Sequence, residues 1–202
     1  MSRRRGNVTV ALVALTVFIA GCVPAAGEDR TSHSSVFSDL LTEAEASGTA
    51  SSAQIVELRL GVEDERIGIE AARKAARRAL SCLQESGVKA EYAERSLSYG
   101  LLVPGYVVTH EPGEDVDTQI ATCDEREFAW VNELYQVQPS SIEASERYVE
   151  QQAPVILECL QRNAVEVDSR ASGSELARVA SRAFSDSDGR TNCLAEAGVD
   201  AW

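Results

Sequence analysis

Residues 64–88 read DERIGIEAARKAARRALSCLQESGV. Ile67, Ala71, Ala75, Ala79, Cys82 and Leu83 recur at intervals of three and four, the repeat of one face of an α-helix. Gly87 follows where a helix C-terminus turns left-handed, so the spacing predicts a helix from about Asp64 to Ser86. Alanine is small, so a partner helix can approach this face closely. Arg73, Lys74, Arg77 and Arg78 form a basic stripe on the same segment. It reads either as a docking site for an anionic partner or lipid headgroup, or as a solvated face supported by Glu70, four residues before Lys74.

The ending of that helix recurs. CLQESGV (82–88) is echoed by CLQRNAV (159–165) and CLAEAGV (193–199). Each copy places a cysteine about one turn before a stop, where a disulfide would pin the helix end. Cys82, Cys123, Cys159 and Cys193 are even in number and imply two disulfides, with three connectivities open. Cys82–Cys123 and Cys159–Cys193 are favoured because each joins neighbouring segments, and each would contribute about 4 kcal/mol by restricting the unfolded chain. No C-x-x-C pair is present, and His33 and His110 are the two histidines, so zinc and thiol-redox chemistry are poorly supported.

Further helices follow on either side. Phe37, Leu40 and Leu41 begin a short one. Ile55, Val56 and Leu58 mark a second, with Gly61 as its stop. Tyr92, Tyr99–Val103 and Tyr106–Val108 are rich in aromatic and β-branched residues, and Pro104-Gly105 suits a type II turn, predicting a small antiparallel hairpin. Glu114, Asp115 and Asp117 open a helix holding Val116, Ile120, Cys123, Phe128, Val131 and Leu134, and acids at a helix start answer its dipole without a calcium ion. Asp186-Ser187-Asp188-Gly189 places its glycine too early for a calcium loop. Ser140 with Glu143 reads as a capping box for a helix to about Arg162, kinked at Pro154, and Ser172 with Glu175 as one for a helix ending near Phe184. A last helix holds Cys193 and Leu194 and stops at Gly198.

The first residues carry an address. Arg3, Arg4 and Arg5 precede 13 uncharged residues, Val8 to Ala20, and Ile19-Ala20-Gly21-Cys22 closes the segment. A spanning helix needs about 20 apolar residues, so this is a signal peptide over 1–21. Its ending resembles the lipobox of bacterial lipoproteins, which implies lipidation of Cys22. A plain secretory signal cleaved near Ala25 or Ala26 is the other reading. Residues 22–35 read as a flexible tether and 36–202 as one disulfide-stapled helical domain, with 168–202 a candidate C-terminal extension. Loss of three arginines with the signal moves the formal charge from −13 to −16, which disfavours nucleic-acid binding.

The order of Gln54, the helix ending at Cys82-Leu83, Cys123 with Tyr135, and Pro154 with Cys159-Leu160 resembles a group of actinobacterial lipoproteins and secreted proteins without assigned activity. The resemblance covers about residues 50–165 and implies architecture and location, with no catalytic residues. Ala164 replaces the group's usual glycine, so Asn163 is expected as the left-handed residue of that helix end.

No G-x-S-x-G, H-E-x-x-H, P-loop or G-x-G-x-x-G occurs. Ser86–Lys89 matches S-x-x-K, but at a helix's C-terminal end. His110 has no identifiable nucleophile to serve. The expectation is a mainly α fold with a small antiparallel hairpin and two disulfides. It needs no cofactor and sits on the outer face of the membrane, bound there through Cys22. It acts as a non-catalytic binding module of unknown ligand, for a protein partner or another envelope component, with Arg73, Lys74, Arg77 and Arg78 the candidate contact. A small hydrolase using carboxylates is the alternative.

Overall fold

The computed structural model describes residues 10–11, 32–111 and 115–199. Eight helices appear among them: α1 (Ser32–Ser47), α2 (Ser52–Asp64), α3 (Ile69–Glu85), α4 (Asp117–Glu127), α5 (Ala129–Val137), α6 (Pro139–Arg162), α7 (Gly173–Asp186) and α8 (Cys193–Glu196). Strands β2 (Ala90–Ser96) and β3 (Leu102–Thr109) form an antiparallel hairpin. The two-residue strand β1 (Val10–Ala11) pairs antiparallel with β3, opposite Thr109 and Val108. The expected signal peptide, Cys22 and most of the tether otherwise lie outside the described residues, although α1 already begins at Ser32. Among the described residues no helix is long and apolar enough to cross a membrane.

Within what the sequence reads as one stapled domain, the chain falls into two compact units. The first comprises the described residues of Met1–Arg95 and Val103–Gln138, the second those of Ser96–Leu102 and Pro139–Trp202. Each unit carries one disulfide. Cys82–Cys123 joins α3 to α4 with Cα atoms 5.7 Å apart, and Cys159–Cys193 joins α6 to α8 with Cα atoms 5.5 Å apart. This is the favoured pairing.

In unit 1 the alanine face of α3 is buried, with Ala72, Ala75, Ala76, Ala79, Cys82 and Leu83 inside. Ile67 is buried too, but it precedes the helix. The α3 helix starts at Ile69 behind Gly68, because α2 runs on to Asp64 and ends with Glu65 at φ +49°. Gly61 is therefore not the stop expected of it. It lies inside α2, where an added Cβ would stand 2.5 Å from Ile67 Cδ1. Its missing side chain serves close packing.

The hairpin turn also differs from expectation. Pro104-Gly105 lies within β3, and the turn is Leu97–Leu101, closed by Leu97 N–H donating to Leu101 O (2.8 Å) with Gly100 at φ +87°. Proline's fixed φ is compatible with extended backbone, so a glycine that reaches positive φ takes the turn instead. Cys82, Leu83, Val88, Ala90, Val108, Val116, Ile120 and Cys123 form a buried cluster between the hairpin, α3 and α4.

In unit 2, Val149, Ile156, Cys159 and Leu160 of α6 pack with Leu176, Ala177 and Ala180 of α7 and with Cys193, Ala197 and Val199. The Ser172–Glu175 capping box is present. At α6 the first helical residue is Pro139, a position where the absent N–H costs nothing, so Ser140 sits inside the helix and the expected Ser140–Glu143 box gives way. Pro154 lies within α6. A Cβ on Gly173 would meet Glu150 Cα at 2.7 Å, and Gly173 N–H donates to Glu150 Oε2 (2.7 Å), so α7 starts hard against α6.

All three recurrent endings close in the same way. Val88, Val165 and Val199 N–H groups donate to Leu83, Leu160 and Leu194 carbonyls (2.9, 3.0 and 2.8 Å). Gly87, Ala164 and Gly198 N–H groups donate to Gln84, Gln161 and Ala195 carbonyls, each at 3.0 Å. This is the paired bonding of a Schellman end. The left-handed residue of the second copy is Ala164 itself, at φ +56°, rather than Asn163. The Asn163 side chain donates to Cys159 O instead (2.9 Å), which holds it in the last helical turn and leaves the reversal to its neighbour.

Candidate functional site

The helix predicted from residue 114 breaks in two at Phe128, whose φ of −136° and ψ of −47° leave α-helical geometry. A break orphans backbone groups, and here α2 supplies their partners. Ser51 N–H donates to Arg126 O (2.7 Å), and the Gln54 amide donates to Glu125 O (2.9 Å). Gln54 Oε1 accepts from the N–H groups of Trp130 (2.9 Å) and Val131 (3.2 Å). Gln54 is fully buried. Ser51 caps α2 and also donates to Glu127 Oε2 (2.8 Å), which in turn faces Arg78 Nε at 3.4 Å. A second buried amide, Gln138, forms a two-way bridge with Ile67, accepting from its N–H (3.0 Å) and donating to its carbonyl (3.1 Å).

The break shapes a groove of about 240 Å³ lined by Ser47, Thr49, Glu125, Ala129, Trp130 and Glu133. Ser47 and Thr49 come from the end of α1, where Ser47 Oγ donates to Ala44 O (2.8 Å) and accepts from Thr49 N–H (3.2 Å). Glu125 ends α4, while Trp130 and Glu133 open α5. Burial pushes the Glu133 carboxyl up from the ordinary carboxylate range, and the charge of Glu43 pushes it in the same direction. No ion pair to Glu43, Glu125 or Glu133 is formed by side chains among the described residues. The Trp130 indole N–H is buried without a hydrogen-bond partner in this structure. The groove thus combines an aromatic ring, two hydroxyls and uncompensated negative charge.

The basic stripe is a different matter. Arg73 holds Glu94 through Nε (2.8 Å) and Nη2 (3.1 Å), and Glu70 through Nη1 (2.6 Å). Those hydrogen bonds raise the Arg73 pKa and draw the Glu94 carboxyl down to about 2, with Tyr92 adding a second donor. Lys74 lies 3.7 Å from Glu57. Arg77 sits over the Tyr92 ring, 5.3 Å from its centroid. The stripe is real as a row, and acids and an aromatic ring of the same unit occupy most of it.

Tyr106 on β3 donates its hydroxyl to Asp124 Oδ1, and its ring packs against Phe128 at a centroid distance of 6.2 Å. Burial raises the Asp124 pKa, while the Tyr106 hydrogen bond pulls it back. Tyr106 is thereby part of the packing, and His110 is partly exposed at the end of β3 with Nδ1 3.2 Å from Glu111 O.

The sequence reading missed the groove, Gln54's bridging of the helix break and Gln138. Glu125, Trp130 and Glu133 lie close along the chain, yet their exposure depends on a helix break that their own neighbourhood does not encode. Comparison with protein-family models, with curated proteins and with solved structures finds no match to this chain.

Proposed function

We propose that the chain is a lipid-anchored protein of the outer membrane face, tethered through Cys22, whose first unit is a non-catalytic binding module for an envelope protein partner. The observation that carries this reading is the groove at the α4–α5 break, where Glu125 and Glu133 stand unpaired beside Trp130. Uncompensated carboxylates next to a tryptophan suit an ammonium or guanidinium group, which gains charge pairing and, where it lies over the ring, attraction to it. The expected contact is therefore a lysine or arginine side chain of the partner. The address rests on the n-region, the apolar stretch and the Ile-Ala-Gly-Cys ending. The resemblance to actinobacterial lipoproteins is consistent with that address.

Cross-linking and affinity capture of the anchored protein from detergent-solubilised envelopes tests the reading, beside a mock capture and a Cys22→Ser form. A stoichiometric partner is expected that is lost on Trp130→Ala or on joint Glu125→Gln and Glu133→Gln, and kept on Arg77→Gln. A partner indifferent to the groove variants would remove the site from the reading. A capture no different from the mock would remove the interaction itself.

One observation favours the alternative of a small carboxylate hydrolase: Glu133 is held towards its protonated form beside a second acid, Glu125. A raised carboxyl pKa is one requirement of general acid catalysis. Turnover of a cell-wall polysaccharide by the purified protein, abolished by Glu133→Gln with the fold intact, would establish it over binding alone.

A further inference from the structure

Unit 2 contains a second concave site, of about 460 Å³, between the segment leading into α7 and the outer face of that helix. Arg170, Arg178 and Arg182 line it, over the apolar surfaces of Val167, Ala171 and Val179. Arg178 and Arg182 are one turn apart on α7, an arrangement of like charges that destabilises a helix unless something neutralises it. Neither guanidinium has a carboxylate in hydrogen-bonding contact among the described residues. Arg178 Nε reaches only the Ser174 carbonyl, at 3.4 Å. Arg170 is 92% exposed, with Nε 4.0 Å from Asp168.

The acids in the same wall are turned to the backbone. Asp168 Oδ1 accepts from Arg170 N–H (2.9 Å), and Glu175 Oε2 accepts from Ser172 N–H (2.8 Å) and Ser172 Oγ (3.0 Å) in the capping box. Those Ser172 bonds, with a smaller attraction from the Arg178 charge, hold the Glu175 carboxyl below its usual range. The wall thus carries three carboxylates, Glu166, Asp168 and Glu175, against three guanidiniums, and Asp168 also lies within ion-pair reach of Arg170. On a protein of net charge −13, what marks the cleft is not a net positive charge but two guanidiniums, Arg178 and Arg182, whose donors no carboxylate among the described residues occupies.

We propose that this cleft binds a phosphoryl group carried on a small polyol or lipid headgroup. A planar guanidinium presents paired N–H donors that match phosphate oxygens, and a tetrahedral anion can take more than one such fork, whereas one fork saturates a carboxylate. The apolar floor suits the carbon skeleton that carries the phosphate. The site is separate from the acidic groove of unit 1 and does not rest on the reading given for that groove.

The test uses the full chain carrying Cys22→Ser, so that no anchor contributes. Glycerol 1-phosphate is titrated at constant ionic strength, and vesicles of phosphatidylglycerol are offered in a sedimentation assay. Saturable binding is expected, weakened about tenfold or more in the Arg178→Gln/Arg182→Gln double variant and unchanged in Arg73→Gln. Binding of the soluble ester with no sedimentation identifies a soluble ligand; sedimentation that the double variant abolishes identifies a headgroup. In the unmutated chain, phenylglyoxal labelling of Arg178 and Arg182, located by mass spectrometry, should slow with glycerol 1-phosphate while that of Arg59 does not. This arm stands even if the double variant fails to fold. Absence of saturable binding in both assays would overturn the proposal. So would equal displacement by chloride or acetate, or labelling indifferent to the ester.

Discussion

Ala164 holds a left-handed conformation, φ +56°, at the end of α6, where the matching residues of the other two copies are Gly87 and Gly198. An L side chain there crowds the backbone by roughly 1–2 kcal/mol, partly offset because glycine is freer in the unfolded chain. Ala164→Gly should therefore stabilise unit 2 by about 0.5–1 kcal/mol, read as a shift in the urea midpoint. Asp124 makes a second residue-scale case. Its folded pKa is raised above the ordinary 3.8, chiefly by burial. The folded state then binds the proton more tightly than the unfolded one, so this residue favours folding most below the ordinary value. That contribution is lost as pH rises through the folded value. Glu94, drawn down to about 2, has the opposite sign: its contribution is present above 4.5 and lost as pH falls towards 2. Asp124→Asn keeps an acceptor for Tyr106 and removes the buried charge. Its stability advantage over the parent should grow as pH rises from about 4 to 7 in urea titrations, and a constant difference would refute the assignment.

At the scale of elements, the break between α4 and α5 is held open by one side chain from another helix. Gln54 satisfies Glu125 O, Trp130 N–H and Val131 N–H at once. Gln54→Ala strands these groups inside the protein, at about 1–3 kcal/mol each before relaxation, so a loss of about 3 kcal/mol or more is expected. Gln54→Leu keeps the volume and should cost nearly as much; a leucine variant close to the parent would assign Gln54 a packing role only. The same element explains what the sequence could and could not reveal. A helical repeat was legible over residues 114–134 because Ile120, Cys123, Val131 and Leu134 keep helical spacing through the break. The break was not, because its cause lies more than 70 residues away in Gln54. The turn was misplaced for a related reason: Pro104-Gly105 matches a local turn pattern, but burial of Pro104 commits it to β3. The groove inherits this blindness, since Trp130 and Glu133 line it only where α5 restarts.

Across the whole molecule, the recurring Cys-Leu ending made the disulfide framework readable. Cys82, Cys159 and Cys193 each belong to a segment with its own short-range stop, Cys123 lies inside α4 without one, and neighbouring segments supply the partners. The arrangement also has a consequence for how the chain matures. Cys82 pairs with Cys123 and Cys159 with Cys193, so the bonds are neither nested nor crossed. For a chain delivered N-terminus first into an oxidising compartment, the native partner of Cys82 is the next thiol to appear. By the time Cys159 emerges, the first pair can already be closed, and it too waits only for the next arrival. A simple oxidant that joins thiols in order of appearance makes the correct set, and no shuffling enzyme is required. Under the proposed lipid anchoring, Cys22 emerges ahead of them all with its sulfur tied up in a thioether, leaving no thiol there to intrude.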